Sequence, residues 1–79
     1  MSNKLIFKQI KQALAEAPRN QYMAELHLQM IKFADELMHV TAKEFCEEMG
    51  LKQSLGTEFN KMRNLTARLK GAGLNTELI

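Results

Sequence analysis

This sequence is poor in the residues that mark several classes of protein. Its 79 residues include one cysteine, one proline, four glycines, one tyrosine, four phenylalanines and no tryptophan. The single cysteine excludes an intramolecular disulfide and a cysteine-rich zinc cluster. Few glycines and few aromatic residues argue against a β-sandwich or β-barrel, since those folds need many turns and many strand-forming residues. No apolar run approaches the roughly 18 residues that predict a membrane span.

The amino-terminal segment MSNKLIFKQI lacks the continuous apolar stretch of a signal peptide. Because intracellular thiols stay reduced, one unpaired cysteine fits the cytoplasm, which is the predicted location. Apolar residues make up 46% of the chain and charged residues 25%, as in an ordinary folded globular protein. We therefore expect residues 1–79 to form one small domain.

The sequence is rich in good helix formers, chiefly alanine, leucine, glutamate, lysine, glutamine and methionine. Pro18 and the glycines divide these residues into four segments, so the predicted fold class is all-α, a compact bundle of four helices. The predicted helices cover residues 4–17, 20–39, 42–49 and 58–70. Their expected N-caps are Ser2 or Asn3, Asn20, Thr41 and Thr57.

In the second and the last of the predicted helices, apolar residues recur at helical spacing. This pattern predicts one buried stripe on each of the two helices. The stripe of the second helix is expected to contain Met23, Leu26, Met30, Phe33, Ala34 and Leu37. The stripe of the last helix is expected to contain Phe59, Met62, Leu65 and Leu69.

The third segment carries the clearest local signals. Thr41 and Glu44 have the spacing of a capping box, in which each side chain binds the other residue's backbone N–H. Val40 and Phe45 have the positions of a hydrophobic staple across the same helix start. Gly50 is a suitable left-handed C-terminal cap. These signals predict a helix of about eight residues, 42–49.

A short capped helix, a glycine turn and a longer basic helix are the parts of a helix-turn-helix. That geometry needs a small residue in the first helix and a glycine four positions later, and Cys46 and Gly50 match. The usual apolar residue about six positions past that glycine is replaced by Gly56. Phe59 and Met62 supply apolar side chains three positions further on, as in a unit with a longer turn, here residues 51–56.

Residues 40–74, VTAKEFCEEMGLKQSLGTEFNKMRNLTARLKGAGL, resemble the helix-turn-helix-like domains of small bacterial regulators and of phage or mobile-element proteins. The resemblance places the helix-turn-helix-like unit at residues 41–70. It implies sequence-specific binding of double-stranded DNA in transcriptional control, with the last helix in the major groove.

The predicted outward face of the last helix suits such a role. With about 100° of rotation per residue and Met62 pointing inward, Asn60 and Asn64 point outward. Asparagine can pair with adenine and arginine with guanine, while lysine and threonine can hold phosphates. The candidate DNA-binding residues on and beside this face are Thr57, Asn60, Lys61, Arg63, Asn64 and Arg68.

The distribution of charge supports the same surface. The net charge of the chain is only +2. Residues 51–79 hold five basic and two acidic side chains, a net charge of +3, whereas residues 1–50 hold six and seven, a net charge of −1. A basic carboxyl-terminal third on a neutral scaffold is typical of a DNA-contacting helix.

Catalytic chemistry finds little support in the sequence. His27, His39 and Cys46 do not share the spacing of metal ligands on one helical turn. The adjacent acids at 35–36 and 47–48 point in different directions on a helix and cannot form a dyad. No glycine-rich loop opens a helix to hold phosphate. We expect no enzyme activity, no metal, no cofactor and no small-molecule ligand.

Leu28, Ile31 and Met38 fall outside the main stripe of the predicted second helix and leave it a second apolar face. A homodimer through this helix would cover that face and supply two recognition helices to a two-fold symmetric site. The alternative function is a helical protein-interaction module (an adaptor, inhibitor or antitoxin-like partner) that binds another protein through an exposed methionine and leucine surface.

Overall fold

The computed structural model of this chain describes residues 3–79, and within that range it contains four α-helices, three short 3-10 helices and no strand. The all-α prediction is confirmed. The α-helices are α1 (Asn3–Glu16), α2 (Tyr22–Lys32), α3 (Ala42–Met49) and α4 (Gly56–Gly71). The 3-10 helices are Arg19–Gln21, Gln53–Leu55 and Thr76–Leu78. Within residues 3–79, the helices lack the combination of length and hydropathy that a membrane-spanning helix requires.

Phe45 of α3 lies at the centre of the core and joins three helices. Its ring stacks on that of Phe59 in α4, with centroids 4.2 Å apart, and meets Phe7 of α1 at 6.0 Å. Burial of apolar side chains around these rings supplies the main favourable free energy of folding. The surrounding buried residues include Ile6, Ile10, Leu14, Leu26, Met30, Leu37, Val40 and Met49.

The first helix keeps its predicted extent to within one residue at each end. Asn3 already belongs to the helix, and Ser2, the other candidate cap, lies outside the described residues. The side chains that face the core from α1 are Ile6, Phe7, Ile10 and Leu14.

The second helix is shorter than predicted, because it ends at Lys32 rather than at 39. The backbone N–H of Ala34 bonds the carbonyl of Ile31, three residues back, so the regular helical ladder breaks there. Residues 33–40 continue as successive turns. Phe33 and Leu37 are nevertheless buried. Successive turns bring every third or fourth side chain to the same side, much as a helix does, so both residues still face the core. Met23, predicted to be buried, is exposed.

The third helix has its predicted bounds and both predicted caps. The Thr41 hydroxyl accepts a hydrogen bond from the Glu44 backbone N–H at 3.1 Å, and the Glu44 carboxylate accepts one from the Thr41 N–H at 3.4 Å. Gly50 closes the helix in the left-handed region with φ 68°. Val40 and Phe45, the predicted staple, are both buried.

The start of the last helix differs from the prediction. Thr57 is not its N-cap, because the helix begins at Gly56, directly after the 3-10 helix Gln53–Leu55, with no capping side chain. Gly56 is buried against α3: a Cβ atom placed on it would lie 3.1 Å from the Cβ of Ala42. The missing side chain is what lets α4 approach α3 this closely.

The two threonines that the sequence offers as caps provide a matched test. Thr41→Ala removes a capping hydroxyl, and we expect it to lower the free energy of unfolding by about 1 kcal/mol. Thr57→Ala removes an exposed hydroxyl that caps nothing, and we expect a change of less than about 0.5 kcal/mol. Urea denaturation followed by circular dichroism measures both, and equal losses would contradict the capping assignment.

The close approach at Gly56 is tested by adding a side chain. Gly56→Val drives atoms into Ala42 and should lower the free energy of unfolding by about 1–3 kcal/mol. Gly71→Val adds the same atoms where nothing lies within 4 Å, and is expected to change stability by less than about 0.5 kcal/mol. Thermal unfolding of the two variants should separate them clearly. A Gly56→Val protein as stable as the Gly71→Val protein would show that α4 does not need this contact.

Candidate nucleic-acid interface

The inward direction of α4 is set by Phe59 and Thr66, which are 1% and 2% exposed. The Thr66 hydroxyl donates a hydrogen bond to the carbonyl of Met62 in its own helix at 2.6 Å. With its polar group satisfied in this way, threonine can occupy a core position.

This inward direction corrects the predicted stripe of α4. Leu65, expected in the core, is 40% exposed, while Met62 and Leu69 are only half-buried. Phe59 and Thr66 are seven residues apart and share one side of the helix, and Leu65 lies about 100–120° away from both. The helix is therefore rolled relative to the arrangement that its apolar residues alone predict.

Five of the six candidate DNA-binding residues lie together on the outward face of α4. At about 100° per residue they fall within an arc of about 100°, on the side opposite Phe59 and Thr66. All five are exposed. We call them the α4 outer face: Thr57, Asn60, Lys61, Asn64 and Arg68. No acidic residue belongs to this set.

The sixth candidate, Arg63, points towards the turns that follow α2. Its guanidinium donates hydrogen bonds from one nitrogen to the carbonyls of Leu37, at 3.2 Å, and Val40. The same group lies over the Phe59 ring, 4.4 Å from its centroid. Arg63 therefore joins α4 to the 33–40 segment and is not part of the α4 outer face.

The charge of α4 is also divided differently from the sequence prediction. Lys70 forms an ion pair with Asp35, so it too is directed to the segment after α2. Lys61 Nζ lies 3.7 Å from Glu58 Oε1, and the other oxygen of that carboxylate lies 3.2 Å from His27 Nε2 on α2. The α4 outer face thus retains Lys61 and Arg68 as its basic groups, fewer than the net charge of residues 51–79 suggests.

Sequence reasoning missed the structural role of Gly56 and of Arg63. Gly56 stands where a helix-turn-helix usually has an apolar residue. A glycine at such a position is a signal that two backbones approach closely, and the sequence therefore did contain a sign of this contact. No comparable signal marks Arg63, because its acceptors Leu37 and Val40 are backbone carbonyls more than 20 residues away in sequence.

Histidine and cysteine are the side chains that bear most directly on metal binding and nucleophilic chemistry. Residues 3–79 contain no group of three or more histidine, cysteine, aspartate or glutamate side chains placed to hold a metal ion. Cys46 is completely buried, and this burial raises the pKa of its thiol. A thiol held in that state is a poor nucleophile at neutral pH. His39, exposed in the turns after α2, is not at a helix end as its sequence position implied.

Comparison with protein families places nearly the whole chain in one of them. Residues 2–72 match the family model described as "HTH-like domain". The match covers all of α1 to α4 and therefore extends well beyond the 40–74 segment that carries the resemblance in the sequence. Comparison with curated proteins and with solved structures gave no match.

The different roles assigned to the two arginines on α4 predict effects of different size on stability. Arg63→Ala leaves two carbonyls without their charged donor, and we expect the free energy of unfolding to fall by about 2 kcal/mol. Arg68→Ala removes an exposed side chain and should change it by less than about 0.5 kcal/mol. Chemical denaturation of both variants gives the comparison. An Arg63→Ala protein as stable as the Arg68→Ala protein would contradict a stabilising role for the hydrogen bonds between Arg63 and residues 33–40.

Proposed function

This chain belongs to the family of HTH-like domains, and on that premise we propose that it binds double-stranded DNA and regulates transcription. It acts by binding and not by catalysis, with α4 as the recognition helix in the major groove. The observation that carries the proposal is the α4 outer face, where amide, hydroxyl and basic side chains lie together, with Glu58 beside the face in an ion pair with Lys61.

The chemistry of the α4 outer face suggests a division of roles. Asn60 and Asn64 carry side-chain amides, which can form paired hydrogen bonds with adenine in the major groove. Arg68 lies one helical turn beyond Asn64 and can pair with guanine. Thr57 and Lys61 lie nearer the start of the helix and suit contacts with phosphate oxygens, which fix the register of the protein on the duplex.

A second candidate function is protein–protein interaction, and the exposed apolar side chains favour it. Met38 is 62% exposed, and Leu28 and Met23 are exposed on α2. Such a module would bind a partner by apolar contact, with little dependence on salt. The dimer predicted through the second helix would use Leu28, Ile31 and Met38. Ile31 is half-buried and Met38 lies in the turns after α2, and the dimer stays a prediction.

The DNA proposal is tested by fluorescence anisotropy with a labelled duplex at low and at moderate salt. Each phosphate neutralised by a lysine or arginine should reduce the logarithm of the affinity by about 0.9 for each tenfold rise in salt. We expect binding that weakens steeply in this way. Absence of binding at low salt would refute the proposal and leave the protein-interaction function.

Single substitutions then locate the contact. Asn64→Ala and Arg68→Ala each remove one base-reading side chain, and we expect each to weaken binding to the preferred duplex by about tenfold. Arg19→Ala, in the 3-10 helix between α1 and α2, removes the same charge as Arg68→Ala but lies outside the α4 outer face. It should weaken binding by less than about threefold. Equal losses in all three variants would show that net charge, rather than this face, carries the binding.

A further inference from the structure

The outward side of α1 carries a row of lysines that the proposed DNA contact does not use. Lys4, Lys8 and Lys11 are spaced at i, i+4 and i+7 and fall within an arc of about 60° on the helix. All three are exposed. Within the described part of the chain, none of them forms an ion pair within 4.0 Å.

The neighbouring helix α3 carries a row of the opposite sign. Glu44, Glu47 and Glu48 are all exposed. Glu44 serves the capping box with Thr41. Glu47 and Glu48 have no cation within 4.0 Å among residues 3–79. Two unpaired rows of opposite charge therefore lie on helices that pack side by side.

A shallow groove of about 630 Å³ separates these two rows. Phe7 and Leu5 contribute apolar lining to it, and Leu5 is partly open to solvent. The ring contact between Phe7 and Phe45 fixes α1 against α3 below the groove. The groove is lined by Lys4, Leu5, Phe7, Lys8, Lys11 and Glu48. A second groove beside it is lined by Lys4 and Phe7 on one side and by Glu44, Glu47 and Glu48 on the other.

We propose that this surface, the α1–α3 face, is the interface between two copies of the chain. A two-fold rotation brings each copy's lysine row against the other copy's glutamate row, because an isologous contact pairs residue i with j and j with i. The second copy thus supplies the acidic partners that the lysines of the first copy do not have. The apolar lining of the groove is covered in the same contact.

The choice of a second copy, rather than an acidic partner of another kind, follows from the presence of both signs on one face. A purely acidic partner would satisfy the lysines on α1 but would meet Glu47 and Glu48 with like charge, which is unfavourable. The interface shares no residue with the α4 outer face. The dimer proposed here therefore does not depend on the proposed DNA-binding function.

The charge pattern predicts an association that salt weakens. Exposed ion pairs each contribute little, and salt screens them over about 10 Å at 0.1 M. We expect the dissociation constant of the dimer to rise about tenfold or more between low and high salt. Sedimentation equilibrium of the full chain at about 0.05 M and about 0.5 M sodium chloride measures this change.

Two charge-reversed variants test the pairing directly. Lys4→Glu with Lys8→Glu makes the face mainly acidic and leaves Lys11 unchanged, and Glu47→Lys with Glu48→Lys makes it mainly basic and leaves Glu44 unchanged. We expect each variant alone to be monomeric, with its dissociation constant raised at least tenfold by like-charge repulsion. Mixed in equal amounts, the two should form a heterodimer, because every reversed lysine then meets a reversed glutamate. Circular dichroism checks that both keep their helices.

A neutral variant and a variant on another helix complete the experiment. Lys4→Gln with Lys8→Gln should reduce the salt dependence of the association without creating repulsion. Leu28→Lys places a charge on the exposed side of α2 and should leave the dimer intact. The proposal is overturned if the natural chain stays monomeric at low salt, if the mixed reversed variants fail to associate, or if Leu28→Lys alone abolishes the dimer. The last result would assign the dimer to α2.

Discussion

The stacking of Phe45 on Phe59 is the contact on which the arrangement of this protein depends. Phe45 comes from a helix with strong local signals at both ends, a capping box at Thr41 and a left-handed glycine at Gly50. Phe59 then sets the roll of α4, and the guanidinium of Arg63 lies over the same ring. Because a helix turns about 100° per residue, fixing one side of α4 fixes what its opposite side presents.

That roll separates the polar residues of α4 into two groups with different tasks. Arg63 and Lys70 hold the helix to residues 33–40, through backbone carbonyls and through Asp35. The residues opposite Phe59 have no such task and form the α4 outer face. The family membership supplies the expectation of DNA binding, and this separation indicates which side chains are free to perform it.

The sequence predicted α3 to the residue, because the signals for its two ends, Thr41 with Glu44 and Gly50, are local. It also predicted five members of the α4 outer face, which follow from helical geometry once the helix exists. It did not predict the early end of α2 or the roll of α4. The end of α2 was missed because Phe33 and Leu37 are four residues apart, as on a helix, although they lie beyond its end. The roll of α4 was missed because the burial of Thr66 depends on a hydrogen bond from its hydroxyl, which the hydropathy of threonine does not reveal.

We propose that the α4 outer face contacts DNA, and an NMR titration can locate that contact residue by residue. Backbone amide shifts of isotope-labelled protein would be followed as an unlabelled duplex is added at low salt. We expect the largest changes to cluster at Asn60, Asn64 and Arg68 and in their helical neighbours on that face. Changes concentrated on α1 or on the exposed side of α2, with α4 unaffected, would contradict it.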